Sequence, residues 1–182
     1  MKLLRTIRLD PSDTFIFDPP AEPGEWAVPG GFAFWQRDPD ALEGKARTAF
    51  RSGFLGVLSL GWSTLVQIVE ASDDDRRALV EALARRLVSD FGAPSLDQAA
   101  AAADEEVTFA ESLCDQPLDT LVAVHRSFEG GELREAFRTL KPRTGAKPAR
   151  AFSVFDVEGE EEPGDTVDLI GMAGKREEGR FR

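Results

Sequence analysis

Hydrophobic and polar residues alternate through much of the first 70 residues, which is the pattern of half-buried strands. Leu3 and Leu9 share one face of a predicted strand over residues 2–9, and Phe15 and Phe17 repeat the two-residue spacing. Proline and glycine pairs interrupt the alternation and predict turns. Further strands are predicted at 26–28, 32–35 and 62–70.

The stretch 38–61 fits no single period. An Asp-Pro pair at its start is typical of a helix beginning, whereas glycines at 44, 53, 56 and 61 argue against a long helix. We therefore predict a short turn or helix near 39–44, followed by strands around 46–51 and 54–58.

Two later segments repeat their apolar residues every three to four positions, as amphipathic helices do. The first, predicted over 73–91, follows the N-cap residue Ser72 and stops at Gly92. The second, predicted over 96–113, starts with a capping box at Ser95. We expect the two helices to pack through Leu83, Leu87, Val107 and Ala110.

The strand period returns at 120–126. A Gly-Gly pair then predicts a turn into a short helix at about 132–140, and a last strand is predicted at 152–157. This order of elements predicts an α+β fold, with a largely antiparallel sheet and two long helices and one short helix packed on it.

Length and composition fit one globular domain at 1–157, followed by an acidic C-terminal extension at 158–182 that contains a short apolar segment. The formal net charge of -11 disfavours nucleic acid and anionic membranes as partners. A single cysteine cannot form an intramolecular disulfide. Charged residues interrupt the N-terminal apolar runs, and no run approaches a membrane span. We therefore expect a cytoplasmic protein.

Three motifs resemble a family of uncharacterised alphaproteobacterial proteins. They are AEPGEWAV at 21–28, SGFLGV at 52–57 and GAPSL at 92–96. The resemblance covers residues 1 to about 157 and implies a bacterial source. The family has no assigned activity, so the resemblance implies no functional residue.

Side chains suited to nucleophilic or general-base catalysis are scarce. The chain contains one histidine, one cysteine and no tyrosine or asparagine. We interpret His125 as a partly buried, hydrogen-bonded strand residue and Cys114 as a core residue. Asp104 and Glu111 share a helix face without identifiable partners elsewhere, which is typical of a solvated surface. No catalytic residue, metal site or cofactor is therefore predicted.

The segment 134–150 is basic, although the chain as a whole carries a negative net charge. Its positive residues are Arg134, Arg138, Lys141, Arg143, Lys147 and Arg150. Together with His125 and Arg126, four members of this segment form a candidate site for a small anion: Arg134, Arg138, Lys141 and Arg143. The alternative, which we favour, is a surface charge pairing with the acidic segment 158–165.

An aromatic cluster is the candidate interface, and its members are Trp26, Phe34, Trp35 and Trp62. Phe34 and Trp35 are adjacent, so they would point to opposite sides of a strand. One of the two must then be exposed, or covered by a helix or a partner. Exposed apolar surface of this kind is typical of interfaces.

Two hypotheses of function follow. The first is a non-enzymatic binding or accessory module that acts through contacts with a protein partner or through self-association. The second is a small-molecule or anion-binding protein, or an enzyme, with a pocket around His125 and the arginines of 126–150. A concave pocket lined by His125 and these arginines would favour the second hypothesis.

Overall fold

A computed structural model describes residues 1–142 and 155–157. The helices are α1 (Ser12–Ile16), α2 (Gly44–Ser52), α3 (Asp73–Phe91) and α4 (Leu96–Ser112), with 3₁₀ turns at Gly31–Phe34 and Pro39–Ala41. The strands are β1 (Lys2–Ile7), β2 (Trp26–Val28), β3 (Phe54–Gly56), β4 (Trp62–Ser63), β5 (Leu65–Glu70), β6 (Leu121–Glu129), β7 (Glu132–Pro142) and β8 (Phe155–Val157).

All eight strands form one antiparallel sheet in the order β4-β3-β2-β1-β5-β6-β7-β8. The predicted α+β class is therefore confirmed. The sheet is built around β1, which pairs along its whole length with β5 and at its centre with β2. Within the described residues, no helix is both long and apolar enough to cross a membrane.

One face of the sheet, here called the inner face, packs against the helices. Its strand residues include Leu4, Val66, Ile68, Val122 and Val124, all buried in the main core cluster. On the helix side, the Phe109 ring of α4 meets the Phe137 ring of β7 at 5.6 Å between centroids. Alternate residues of β6 therefore face either this core or the opposite, outer face of the sheet.

The predicted helices α3 and α4 are confirmed, although Ser95 caps α4 only by accepting a hydrogen bond from the Gln98 amide and does not form the predicted capping box. Ser72 and Asp75 form a reciprocal capping box at the start of α3, and Gly92 ends it in the left-handed conformation. Buried leucines of α3 face the small buried residues of α4, and the stripes are Leu79, Leu83 and Leu87 against Ala99, Ala103, Val107 and Ala110. Alanines let the two helices approach closely.

Two predicted strands in the first half of the chain are helices instead. The spacing of Phe15 and Phe17 belongs to α1 and the residue after it, because the Asp10 side chain accepts a hydrogen bond from the Ser12 amide and starts a turn. Leu9, predicted to face the core, is exposed. Segment 46–51 lies within α2, whose glycines stand at its start and just beyond its end rather than inside it.

The predicted helix at about 132–140 is wrong, because these residues form β7. Gly130 and Gly131 both have positive φ angles, +62° and +88°, as a two-residue hairpin turn requires. The register pairs every residue from Leu121 to Glu129 with one of β7. Apolar residues at 133 and 137 fit a helical repeat and a strand equally, so the turn decides the structure.

The remaining predictions differ in outcome. Strands at 26–28 and 54–56 and a 3₁₀ turn within 39–44 are present. The predicted strand 62–70 divides at Thr64 into β4, at the edge of the sheet, and β5, between β1 and β6. Residues 32–35 form a 3₁₀ turn and its cap rather than a strand. Residues 155–157 of the predicted last strand form β8. The extension 158–182 lies outside the described residues, so the domain boundary stays a prediction.

Candidate functional site: an aromatic groove

A groove of about 470 Å³ opens between the first 3₁₀ turn and the tip of the β6–β7 hairpin. Most of its walls are apolar. The lining residues, here called the aromatic groove, are Gly31, Phe32, Phe34, Trp35, Arg37, Pro39, Phe50, Phe128, Gly131 and Leu133. Its volume lies in the range of about 300–1,000 Å³ that is typical of ligand sites.

Two glycines bring the 3₁₀ turn against the hairpin. Gly30 has a φ of +76°, a conformation that most side chains disfavour. A Cβ atom on Gly31 would lie 2.9 Å from Oε1 of Glu135, so a larger residue here would have to displace the Glu135 carboxylate. The Gly30 amide also donates a 2.8 Å hydrogen bond to Oε1 of Glu106 on α4. The wall of the groove is therefore fixed from both sides.

Of the adjacent pair, Phe34 is buried in the core and Trp35 is exposed to solvent. Phe34 is 7% exposed, with its ring centroid 5.3 Å from that of Phe50 and 5.1 Å from that of Trp62. Trp35 is 88% exposed, although it lines an apolar groove. The sequence argument placed one of this pair at the surface, but it assumed a strand where the chain forms a 3₁₀ turn.

The other two aromatic residues of the predicted interface lie elsewhere. Trp62 is buried behind Phe34. Trp26 lies on the outer face of β2, where the Arg5 guanidinium stacks 3.9 Å from its ring centroid. Of the four aromatic residues, Phe34 and Trp35 line the groove.

A buried ion pair supports the groove from below. Arg126 is 1% exposed, and its Nε donates a 2.5 Å hydrogen bond to Oε1 of Glu135. Its other nitrogens donate to the backbone carbonyls of Phe50 at 3.2 Å, of Gly53 at 2.6 Å, and of Pro29. A buried guanidinium stays charged, so these acceptors are needed to replace its hydration. Arg126 therefore ties α2, the hairpin and Pro29, which lies two residues before the 3₁₀ turn, together.

Glu106 completes this charged cluster. Burial raises the pKa of the Glu106 carboxyl above its usual value, and the nearby Glu135 raises it further. The hydrogen bond from Gly30 and the charge of Arg126 oppose this rise in pKa. Sequence reasoning missed Glu106 and Glu135, because a charged residue on a helix or strand looks like solvated surface until its neighbours are known.

The predicted anion-site residues are distributed over different surfaces. His125, Arg134 and Arg138 are exposed and lie on the outer face of the hairpin, whereas Arg126 points into the core. Arg134 pairs with Glu129 at 3.1 Å. Lys141 is paired in register with Asp156 of β8, and Arg143 lies outside the described residues.

His125 is exposed rather than partly buried, which corrects the interpretation from the sequence. It lines a surface depression of about 310 Å³ with Ala123, Val124 and Arg138. This depression contains one arginine and no carboxylate among the described residues. The described part of the lining therefore holds no carboxylate that would orient His125 for acid–base catalysis.

Cys114 is buried, as its place at the end of the apolar stripe predicts. Burial raises the pKa of its thiol to about 11, so the nucleophilic thiolate is scarce at neutral pH. Over residues 1–142 and 155–157, no group of three or more His, Cys, Asp or Glu residues could hold a metal ion.

The sequence model of one family matches residues 1–157, and the family is described as a family of unknown function, DUF6505. The chain belongs to this family. The match covers every strand and helix described above. Neither a curated protein nor a solved structure matches the chain. Membership of DUF6505 therefore brings no activity with it, and function has to be argued from the groove.

Proposed function

We propose that this DUF6505 protein is a non-catalytic binding module that accepts a short apolar segment of a partner protein in the aromatic groove. The exposure of Trp35 carries the proposal. A tryptophan that is 88% exposed beside a cavity of about 470 Å³ leaves a large apolar area in water. Burial of such an area on binding stabilises a complex, and tryptophan is enriched among the residues that dominate interfaces.

The rest of the groove supports binding rather than catalysis. Phe128 and Leu133 are both exposed and stand opposite each other at the hairpin tip, next to Trp35 in the lining. Among the described residues, Arg37 is the single ionisable residue in this lining. An apolar groove with one cation at its rim suits apolar anchor residues with an acidic neighbour. General acid–base chemistry needs more polar groups than this lining provides.

The buried pair of Arg126 and Glu135 adds rigidity. It fixes the hairpin against α2 and Pro29, so the groove exists before a partner arrives. A preformed surface loses less conformational entropy on binding than a flexible one. We therefore interpret the charged cluster of Arg126, Glu135 and Glu106 as a support for the binding surface.

Selection of peptides tests the proposal without knowledge of the natural partner. A random peptide library is selected on the wild-type chain, and the affinity of each recovered peptide is measured by calorimetry. We expect peptides with aromatic or leucine anchors whose affinity falls at least tenfold in Trp35→Ala. The matched control is Phe15→Ala, which removes another aromatic side chain, 72% exposed, outside the groove.

Equal affinities for Trp35→Ala and Phe15→Ala would refute the groove as the binding surface. Selection that recovers only peptides sensitive to His125→Ala would favour the anion-binding hypothesis instead. An alphaproteobacterial source, a cytoplasmic location and the pairing of segment 134–150 with 158–165 stay predictions from the sequence.

A further inference from the structure

A second cavity lies on the opposite side of Phe34 from the aromatic groove. Its volume is about 370 Å³, again within the range of ligand sites. Most of its wall is apolar and comes from the 3₁₀ turn, α2 and the strands around Trp62. Its aromatic members are Phe34, Trp62 and Phe91.

Two exposed cations, Arg37 and Lys45, line this space, which is here called the cationic cavity. Among the described residues, Asp18 is the one acidic residue of its lining. Neither cation forms an ion pair with any residue in the described part of the chain. Lys45 Nζ makes one long hydrogen bond, 3.4 Å, to the carbonyl of Phe17.

Exposure and the absence of an ion pair within the described residues are shared by Arg47 and Arg51 of α2. What sets Arg37 and Lys45 apart is that both line the same partly apolar cavity. Two cations beside an apolar wall would attract an anion, and a guanidinium binds a carboxylate through two parallel hydrogen bonds.

We propose that the cationic cavity binds a small organic carboxylate with an apolar body, such as a medium-chain fatty acid. The apolar body would lie against Phe34, Trp62 and Phe91. The carboxylate would lie between Arg37 and Lys45. The apolar part supplies most of the favourable burial, and the two cations provide the preference for an anion.

This inference does not depend on the proposed function. A partner segment would bind in the aromatic groove next to Trp35, whereas the carboxylate occupies the space beyond Phe34, which Trp35 does not line. Phe34 and Arg37 line both spaces, so they are unsuitable for separating the two sites. Trp35→Ala and Lys45→Gln separate them.

Titration with decanoate, followed by calorimetry at constant ionic strength, tests the inference. We expect saturable binding of one decanoate per chain. Decanol, which has the same chain without the charge, should bind at least tenfold more weakly, and acetate should show no saturation. Lys45→Gln and Arg37→Gln should each weaken decanoate at least fivefold, whereas Trp35→Ala should leave its affinity unchanged.

Arg47→Gln is the matched control, since Arg47 is an exposed cation of α2 that lines neither cavity. Its affinity for decanoate should equal that of the wild type. A second readout is the ¹³C signal of carboxyl-labelled decanoate, because a carboxylate held between two cations titrates at a lower pH than free decanoate. Lys45→Gln should reduce this difference.

Four results would overturn the inference. The first three are the lack of saturable decanoate binding, equal affinities for decanol and decanoate, and decanoate affinity that is unchanged in both Lys45→Gln and Arg37→Gln. Loss of decanoate binding in Trp35→Ala would place the ligand in the aromatic groove and would equally refute the assignment to the cationic cavity. Failure of the peptide selection would leave this inference standing.

Discussion

Replacement of Arg126 by methionine should destabilise the fold severely. Methionine keeps much of the volume of the side chain but removes the guanidinium. The change leaves the Glu135 carboxylate without its partner, and it leaves the carbonyls of Phe50 and Gly53 without their donors in a buried site. The carbonyl of Pro29 loses its donor as well.

The size of the effect follows from these losses. Removal of one partner from a buried ion pair costs about 3–5 kcal/mol, because the remaining charge is uncompensated. A domain typically has about 5–15 kcal/mol of unfolding free energy in total. For an m-value of about 2 kcal/mol per molar urea, a loss of about 4 kcal/mol lowers the urea midpoint by about 2 M.

Equilibrium unfolding in urea, followed by circular dichroism, measures this loss. Arg134→Met is the matched control, because Arg134 is an exposed arginine on the partner strand and pairs with Glu129. Its unfolding free energy should change by no more than about 0.5–1 kcal/mol. The double variant Arg126→Met with Glu135→Gln should be less destabilised than the sum of the single variants, by about 1–3 kcal/mol. Similar losses for Arg126→Met and Arg134→Met would refute the structural role of the buried pair.

Three further predictions concern single residues. Leu83→Ala should lower the unfolding free energy by about 2–5 kcal/mol in urea, because Leu83 is fully buried between α3 and α4. His125→Gln should change it by less than about 0.5 kcal/mol, because the side chain is exposed, and a larger loss would contradict the placement on the outer face. Glu106→Gln should raise the melting temperature at pH 7, and its difference from the wild type should shrink towards pH 4. Each kcal/mol gained in unfolding free energy corresponds to about 2–4 °C in the melting temperature.

The sign for Glu106 follows from its raised pKa. The folded state binds the proton of this carboxyl more tightly than the unfolded state does. The stability that the protonated Glu106 carboxyl contributes is therefore fully present below its pKa in the unfolded chain. This stability is lost as the pH rises through its pKa in the folded chain. Glutamine stays neutral and keeps an oxygen for the Gly30 amide, so the variant should not show this loss. A melting temperature that falls by the same amount at both pH values would contradict the assignment.

The sequence predicted those elements whose local signals agree. The N-cap residue Ser72, the stop at Gly92 and a regular leucine stripe all specify α3, so its predicted bounds are correct. The helix predicted at about 132–140 failed because Leu133 and Phe137 fit two periods at once. The Gly-Gly hairpin turn before them carried the decisive information.

The groove could be predicted only in part, because its walls come from distant segments. Adjacent Phe34 and Trp35 indicated one exposed aromatic residue, but Phe50 and Leu133 join them only through long-range packing. The contact between Arg126 and Pro29 spans 97 positions, and no local period encodes it. His125 is the single histidine, which made it a candidate site residue in the sequence. In the described part of the chain, the depression that it lines contains no carboxylate.

The most direct test of the binding proposal uses the three tryptophans as reporters. Each indole N–H gives its own signal in a ¹H–¹⁵N spectrum of the uniformly labelled chain. Titration with a selected peptide should shift the Trp35 signal in a saturable way, because Trp35 lines the aromatic groove. The signal of Trp26, which lies on the outer face under Arg5, should stay in place. A peptide that binds while it shifts Trp26 and leaves Trp35 unchanged would contradict the account.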